Sequence, residues 1–206
     1  CFKNKNYSLN KKLGLIKPFI SNHLKNLKNM SRYHDDWIID SLLQPLYLTK
    51  LFSIPDAINL LKDSHNILMT LPKFVQDWRW YKDVISDDTG VNEKVLNSYY
   101  KSNLNFIDYR LSDISHSYDF GLELENIGLN CWNLMCKIET GDEKAFDVFN
   151  NKIINLIKLI EPYSKETTNS LISSLSSINS PNLKPADDPF AEWWGRGQQY
   201  ASFVSK

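Results

Sequence analysis

The chain has 206 residues, of which 42% are hydrophobic and 13% aromatic, so it can build a core and is not a disordered chain. Lysine plus arginine equal aspartate plus glutamate at 24 each, so no overall charge favours nucleic acid or an anionic membrane as the partner. No apolar run is long enough to span a bilayer.

A central helical hairpin is predicted over residues 91–138. Apolar and aromatic side chains recur every three or four residues over 91–118, which is the spacing of one helix face. We expect Gly121 to end this helix, because glycine readily takes the positive φ of a helix C-terminus. The helical pattern resumes over 122–138, where Leu129 lies outside a single stripe and predicts burial on more than one side.

Helical spacing also predicts the helices that surround this hairpin, which are 13–27, 35–51, 57–71, 145–160, 171–178 and 190–204. Pro45 is expected to divide the second of these, whereas Asp188 and Pro189 favour the start of the last one. Strand patterns are nearly absent. The sequence therefore predicts an all-α fold, a single irregular helical bundle or a short α-solenoid of about seven to eight helices around the hairpin.

Three segments are predicted along the chain. Residues 1–10 are polar and form a flexible N-terminal arm. Residues 11–180 form the helical domain, and 181–206 form a loop and an aromatic C-terminal helix that docks on it.

The predicted turn 139–145 is similar to the helix-turn-helix joint of tetratricopeptide repeats. Its spacing from Gly141 to Ala145 is one residue shorter than in that family, and no second copy follows at a fixed period. The sequence therefore assigns no family.

The three cysteines are Cys1, Cys131 and Cys136. The last two are five residues apart, about 140° around a helix, so they are expected to point to different sides and to remain free thiols. An N-terminal cysteine is what cleavage of a bacterial lipoprotein precursor leaves, so Cys1 is a candidate lipidation site on the cell envelope. The alternative is a trimmed chain, which would be cytoplasmic.

Two aromatic clusters are the candidate binding sites. The first is Trp78, Arg79, Trp80 and Tyr81, in which large rings alternate with a cation and can hold a peptide or stack on bases. In the alternative interpretation, Trp78 and Tyr81 face the core. The second cluster lies on the final helix, which docks on the domain, inserts at a membrane interface or binds a partner, and it comprises Trp193, Trp194 and Arg196.

His34 and Asp35 are the candidate metal ligands. Imidazole and carboxylate ligands from helices can hold a divalent ion that activates water, and His23, Asp40 and His65 are available to complete such a set. The alternative is that the acidic residues here stabilise a helix N-terminus.

Nucleophile motifs and phosphate loops are missing from the sequence. The leading hypothesis is therefore a non-enzymatic, all-helical protein-binding module, such as an envelope-tethered immunity or neutralising protein, or an adaptor, of bacterial origin. The expected partner is a protein, with no cofactor and no nucleic acid, and with membrane contact only through lipid on Cys1. The alternative function is a helical metal-dependent hydrolase built on His34 and Asp35. A third hypothesis, single-strand binding through Arg79, Trp80 and Lys82, is disfavoured by the neutral net charge.

Overall fold

The computed structural model describes residues 7–26, 32–45, 50–74, 90–111, 114–179 and 199–206. Helices account for 70% of these residues, and one small two-stranded sheet accompanies them, so the prediction of a mostly helical fold is confirmed. In chain order the elements are α1 (Leu9–Asn26), α2 (His34–Ile38), a π-helical turn (Ile39–Leu43), α3 (Ile54–Leu61), β1 (His65–Leu71), α4 (Val91–Ser102), two 3-10 turns (Asn103–Phe106 and Tyr109–Leu111), α5 (Tyr118–Thr140), α6 (Lys144–Ile160), α7 (Lys165–Ile178) and β2 (Tyr200–Ser205).

The described residues form two compact units. One contains those of 1–50 and 129–194, and the other contains those of 51–128 and 195–206. The predicted arm 1–10 and docking segment 181–206 fall largely outside the described residues, although α1 already begins within the former.

In the first unit, α1 and α2 share a small apolar cluster. Ile20 and Leu24 are four residues apart, so they lie on one face of α1 and pack with Ile38 of α2. The Lys17 ammonium of α1 lies 2.7 Å from a carboxylate oxygen of Asp35. The joint between these helices is therefore apolar inside and has an ion pair at its surface.

Helices α6 and α7 of the same unit pack against each other. The predicted turn before α6 is confirmed, because Gly141 has a φ of 104° and its N–H bonds the carbonyl of Ile138. The carboxylate of Asp142 then accepts a hydrogen bond from the Lys144 N–H at 3.1 Å. Helix α7 begins earlier than predicted, since Ser164 caps it by accepting from the Thr167 N–H at 3.2 Å.

The second unit is built around α3, β1 and α4. Helix α3 starts with a capping box in which the Ser53 hydroxyl accepts from the Asp56 N–H and the Asp56 carboxylate accepts from the Ser53 N–H. Apolar side chains of all three elements and of the segment after β1 meet in one buried cluster, which consists of Ile54, Ile58, Ile67, Phe74, Val95 and Tyr99.

The sheet pairs β1 and β2 as antiparallel strands, with Leu71 opposite Tyr200. Leu68 is an extra residue in β1, because its two neighbours pair with consecutive residues of β2. Such a β-bulge interrupts the alternation of side chains along the strand. As a result Ile67 and Thr70 are both buried although they are three residues apart.

The sheet corrects two helix predictions. Residues 65–71 were expected to continue the helix 57–71, and 200–204 to continue the helix 190–204, but both form strands. Helix α3 ends at Leu61, and three turn residues separate it from β1. The spacing within a short apolar run does not by itself distinguish a helix from a strand, and pairing between two distant segments then decides the structure.

The predicted end of the first hairpin helix at Gly121 is wrong. Helix α4 already ends at Ser102, and Gly121 lies inside α5. A Cβ atom on Gly121 would lie 1.7 Å from the carbonyl oxygen of Tyr100, so this glycine permits a close approach of the two helices. The buried Asn103 amide, just after α4, donates to the Gly121 carbonyl of α5 at 2.8 Å.

One smaller expectation also changes. Leu129 was expected to be buried but is 43% exposed, so α5 buries a narrower stripe than predicted.

The expected division of the predicted helix 35–51 at Pro45 agrees with the described residues. Helical structure stops at Leu43 as a π-helical turn, and residues 46–49 lie outside the described residues. This end follows the restriction that a proline places on the preceding residue.

Candidate protein-binding surface

Both predicted aromatic clusters lie outside the described residues, as does the candidate lipidation site. They are Trp78, Arg79, Trp80 and Tyr81, then Trp193, Trp194 and Arg196, and finally Cys1. Their assignments as binding or lipidation sites stay predictions.

The structure describes both candidate metal ligands, His34 and Asp35, at the start of α2. Asp35 is engaged by Lys17, and the nearby Asp40 pairs with the guanidinium of Arg32. In the part of the chain that the structure describes, no group of three or more histidine, cysteine or acidic side chains comes close enough to hold a metal ion. A metal site on His34 and Asp35 therefore stays a sequence prediction.

The two cysteines of α5 are free thiols, as expected from their spacing. Cys131 is buried and Cys136 is half-buried. Burial raises the pKa of the Cys131 thiol, and the neighbouring Lys152 ammonium opposes this shift. Among the described helices, none is both long and apolar enough to cross a membrane.

One exposed surface with a defined geometry lies on the sheet. Side chains of opposite residues in an antiparallel pair lie on the same face, as do residues two apart in one strand. Met69, Leu71, Tyr200 and Val204 therefore share one face with the polar residues Asn66 and Ser202. We name the four apolar or aromatic residues of this face the apolar sheet face. Met69, Leu71 and Tyr200 are 62%, 57% and 59% exposed. The opposite face contributes Ile67 and the half-buried Phe203 to the core.

Hydrogen bonds fix the start of β2 to the rest of its unit. The Gln199 side-chain oxygen accepts from the Ile54 N–H at 3.2 Å, and the Gln199 amide also bonds Tyr99 of α4. The Tyr99 hydroxyl in turn donates to the Glu125 carboxylate of α5 at 3.2 Å. Burial and this carboxylate raise the pKa of Tyr99, so its hydroxyl stays protonated and remains a donor.

Asn92, the second residue of α4, contacts the outer edge of β1. Its side-chain oxygen accepts from the Ile67 N–H at 2.8 Å, and its amide donates to the His65 carbonyl at 3.1 Å. Gly90 directly precedes the helix with a φ of 90°, a conformation that glycine adopts readily. The Asn92 amide thus supplies the donor and the acceptor that a third strand would otherwise supply.

Sequence reasoning missed this surface because it missed both strands. The signal that was available in β2 is its content of Tyr200, Phe203 and Val204, which are residue types that favour strands. In β1 the bulge at Leu68 interrupts the regular alternation of side chains between the two faces.

Comparison with protein families, with curated proteins and with solved structures found no match for this chain.

Proposed function

We propose that this protein is a mostly helical, non-enzymatic binding module that recognises another protein through the apolar sheet face. A partner that covers Met69, Leu71 and Tyr200 would remove these side chains from water, which is the main favourable contribution to such association. The proposal rests on one observation, which is that three large apolar side chains on one face of a sheet are each more than half exposed.

Two further features support this surface as a binding site. Apolar patches on a protein surface commonly mark protein–protein contacts. In addition, Gln199 and Asn92 hold the strands in place, and a surface held in advance loses less conformational entropy when a partner binds.

The finer part of the proposal, an envelope-tethered neutralising or adaptor protein, depends on Cys1. Intact mass of the protein from its native cell tests it. Acyl chains on Cys1 would support a tethered role, whereas an unmodified cysteine would remove the tether and leave the binding proposal standing.

The binding proposal is tested by capturing partners from native cell extract on the purified protein and measuring the dissociation constant of the partner identified. A charged side chain on the apolar sheet face should weaken binding, because burying an unpaired carboxylate is costly. We therefore expect Leu71→Asp and Tyr200→Asp each to weaken binding at least about tenfold, which corresponds to about 1.4 kcal/mol.

The matched control is Ile172→Asp, which places the same charge on an exposed apolar residue of α7 that is 47% exposed. This variant should bind as the unaltered protein does. Equal binding by all three variants, with unchanged circular dichroism, would exclude the apolar sheet face as the contact surface.

A further inference from the structure

The outer edge of β2 offers backbone groups for pairing. In an antiparallel ladder, each residue directs its N–H and C=O either toward the partner strand or away from it, and opposite residues do the same. Asn92 bonds His65 and Ile67 on the side of β1 that faces away from β2. Their opposite residues, Ser205 and Phe203, therefore direct their backbone groups away from β1.

Ala201 is two residues from Phe203 and follows the same alternation, since the bulge lies in β1 and leaves β2 regular. Within the described residues, none of the outward N–H and C=O groups of Ala201, Phe203 and Ser205 has a hydrogen-bond partner. Natural proteins usually protect such an edge with a charged residue, a proline or a covering element. Residues 200–205 contain neither a charged residue nor a proline.

The two edges of the sheet differ. Asn92 occupies the edge of β1 at His65 and Ile67, so a strand that pairs there would have to displace its amide. The β2 edge has no comparable side chain among the described residues. Pairing through β2 alone joins two sheets and then stops, which favours a closed dimer over an open fibre.

The outward residues of β2 are also self-complementary. When two copies are related by a two-fold axis at Phe203, the Phe203 residues of both copies lie opposite each other, and Ala201 lies opposite Ser205 of the partner subunit. Every outward N–H then meets an outward C=O. The absence of charged residues from 200–205 means that no like charges come together within this segment.

We propose that the occupant of this edge is a second copy of the chain, which joins two sheets into one of four strands in the order β1, β2, β2 and β1. The proposal goes beyond the proposed function, because it concerns a backbone edge and not the apolar sheet face. The dimer would extend that face across the two-fold axis and offer two copies of it to a partner.

Sedimentation equilibrium of the full chain tests the proposal. We expect a mass twice 24.0 kDa at high protein concentration and dissociation on dilution. Ala201→Pro removes an outward N–H that bonds nothing within the described residues, so it should keep the fold and abolish the dimer. The matched control Ala201→Val keeps the N–H and should still form the dimer. A monomer at every concentration, or a dimer that survives Ala201→Pro, would overturn the proposal.

A second measurement remains informative if Ala201→Pro does not fold. Two-fold pairing places Ser202 opposite Val204 of the partner subunit in a non-hydrogen-bonded pair, whose Cα atoms lie about 4.5 Å apart, within the range of a disulfide. The double variant Ser202→Cys, Val204→Cys should therefore form an intermolecular disulfide between these two positions on mild oxidation.

Neither single variant places two of its new cysteines opposite each other, so Ser202→Cys alone and Val204→Cys alone serve as controls. Peptide mass mapping separates the new disulfide from bonds made by the three native cysteines. A double variant that gives no disulfide between 202 and 204 would contradict the proposed pairing.

Discussion

Two glycines of α5 occupy very different surroundings. A Cβ on Gly121 would lie 1.7 Å from the carbonyl oxygen of Tyr100, whereas a Cβ on Gly128 would meet nothing within 4 Å. We expect Gly121→Ala to lower the free energy of unfolding by at least about 2 kcal/mol, because backbone must move to admit the methyl group. Urea denaturation followed by circular dichroism measures this change.

Gly128→Ala is the matched control. It adds the same methyl group to the same helix and should raise stability by up to about 1 kcal/mol, since alanine favours a helix over glycine. A loss of stability at Gly128 equal to that at Gly121 would mean that the contact with Tyr100 does not determine the result.

His116 gives the second unit a dependence on pH. Its ring is buried, Nε2 accepts from the Leu104 N–H at 3.4 Å, and Nδ1 lies 3.2 Å from the Ser117 carbonyl. Burial lowers the pKa of His116 in the folded chain, while the bond to the Ser117 carbonyl opposes the shift. The neutral ring is therefore the form that the fold favours.

Because the pKa of His116 is lower in the folded chain than in the unfolded chain, the direction of its effect on stability is fixed. The contribution of His116 is fully present above its unfolded pKa of about 6.5 and is lost as the pH falls through that value toward the folded pKa. We expect stability to decrease below about pH 6.5, with a smaller decrease in His116→Gln. NMR titration of the His116 ring in the folded chain and in urea checks this, and a higher pKa in the folded chain would contradict it.

The two cysteines of α5 should differ in reactivity. The thiolate is the reactive form, and burial both raises the pKa of the Cys131 thiol and restricts access to it. We expect iodoacetamide to modify Cys136 before Cys131 in the folded protein, as followed by peptide mass mapping. In urea the two rates should become similar, and preferential modification of Cys131 in the folded protein would contradict the burial described here.

At the scale of elements, Asn92 joins the start of α4 to the outer edge of β1 through two hydrogen bonds. Asn92→Ala should lower stability by about 2 kcal/mol, since it removes two hydrogen bonds and leaves the groups of His65 and Ile67 without them. The same change opens the β1 edge, so assemblies larger than a dimer should appear in sedimentation velocity.

The matched control is Asn97→Ala, on an exposed position of the same helix, which should show neither effect. Destabilisation without larger assemblies would contradict edge protection by Asn92.

The helices that sequence analysis predicted well are those with local signals at both ends. Helix α6 follows Gly141 and ends before Pro162, and its apolar residues keep a regular helical spacing between these limits. Glycine and proline constrain the backbone next to them, so the sequence alone indicates where this helix begins and ends.

The strands were not predictable in the same way. The apolar residues of β1 fit helical and strand spacing alike, and the choice depends on pairing with β2 at the other end of the chain. Gly121 poses the same difficulty, because a glycine that ends a helix and one that admits a neighbouring backbone are identical in sequence. The apolar sheet face could not be predicted without its strands.

At the scale of the whole molecule, the two proposed interactions use different parts of the same sheet. The apolar sheet face offers side chains to a partner, and the β2 edge offers backbone groups to a second copy. If both proposals hold, the complex contains two chains and two partners, and Ala201→Pro changes this to one of each while each site keeps its affinity.

The bulge in β1 also bears on how the chain tolerates loss of a residue. Deleting one residue from a strand ordinarily turns every later side chain to the opposite face. Leu68 is the residue that has no opposite partner, so its deletion would restore regular alternation and leave Ile67 inward, Met69 outward and Thr70 inward, as they are now. A variant that lacks Leu68 should therefore form the same two-stranded sheet.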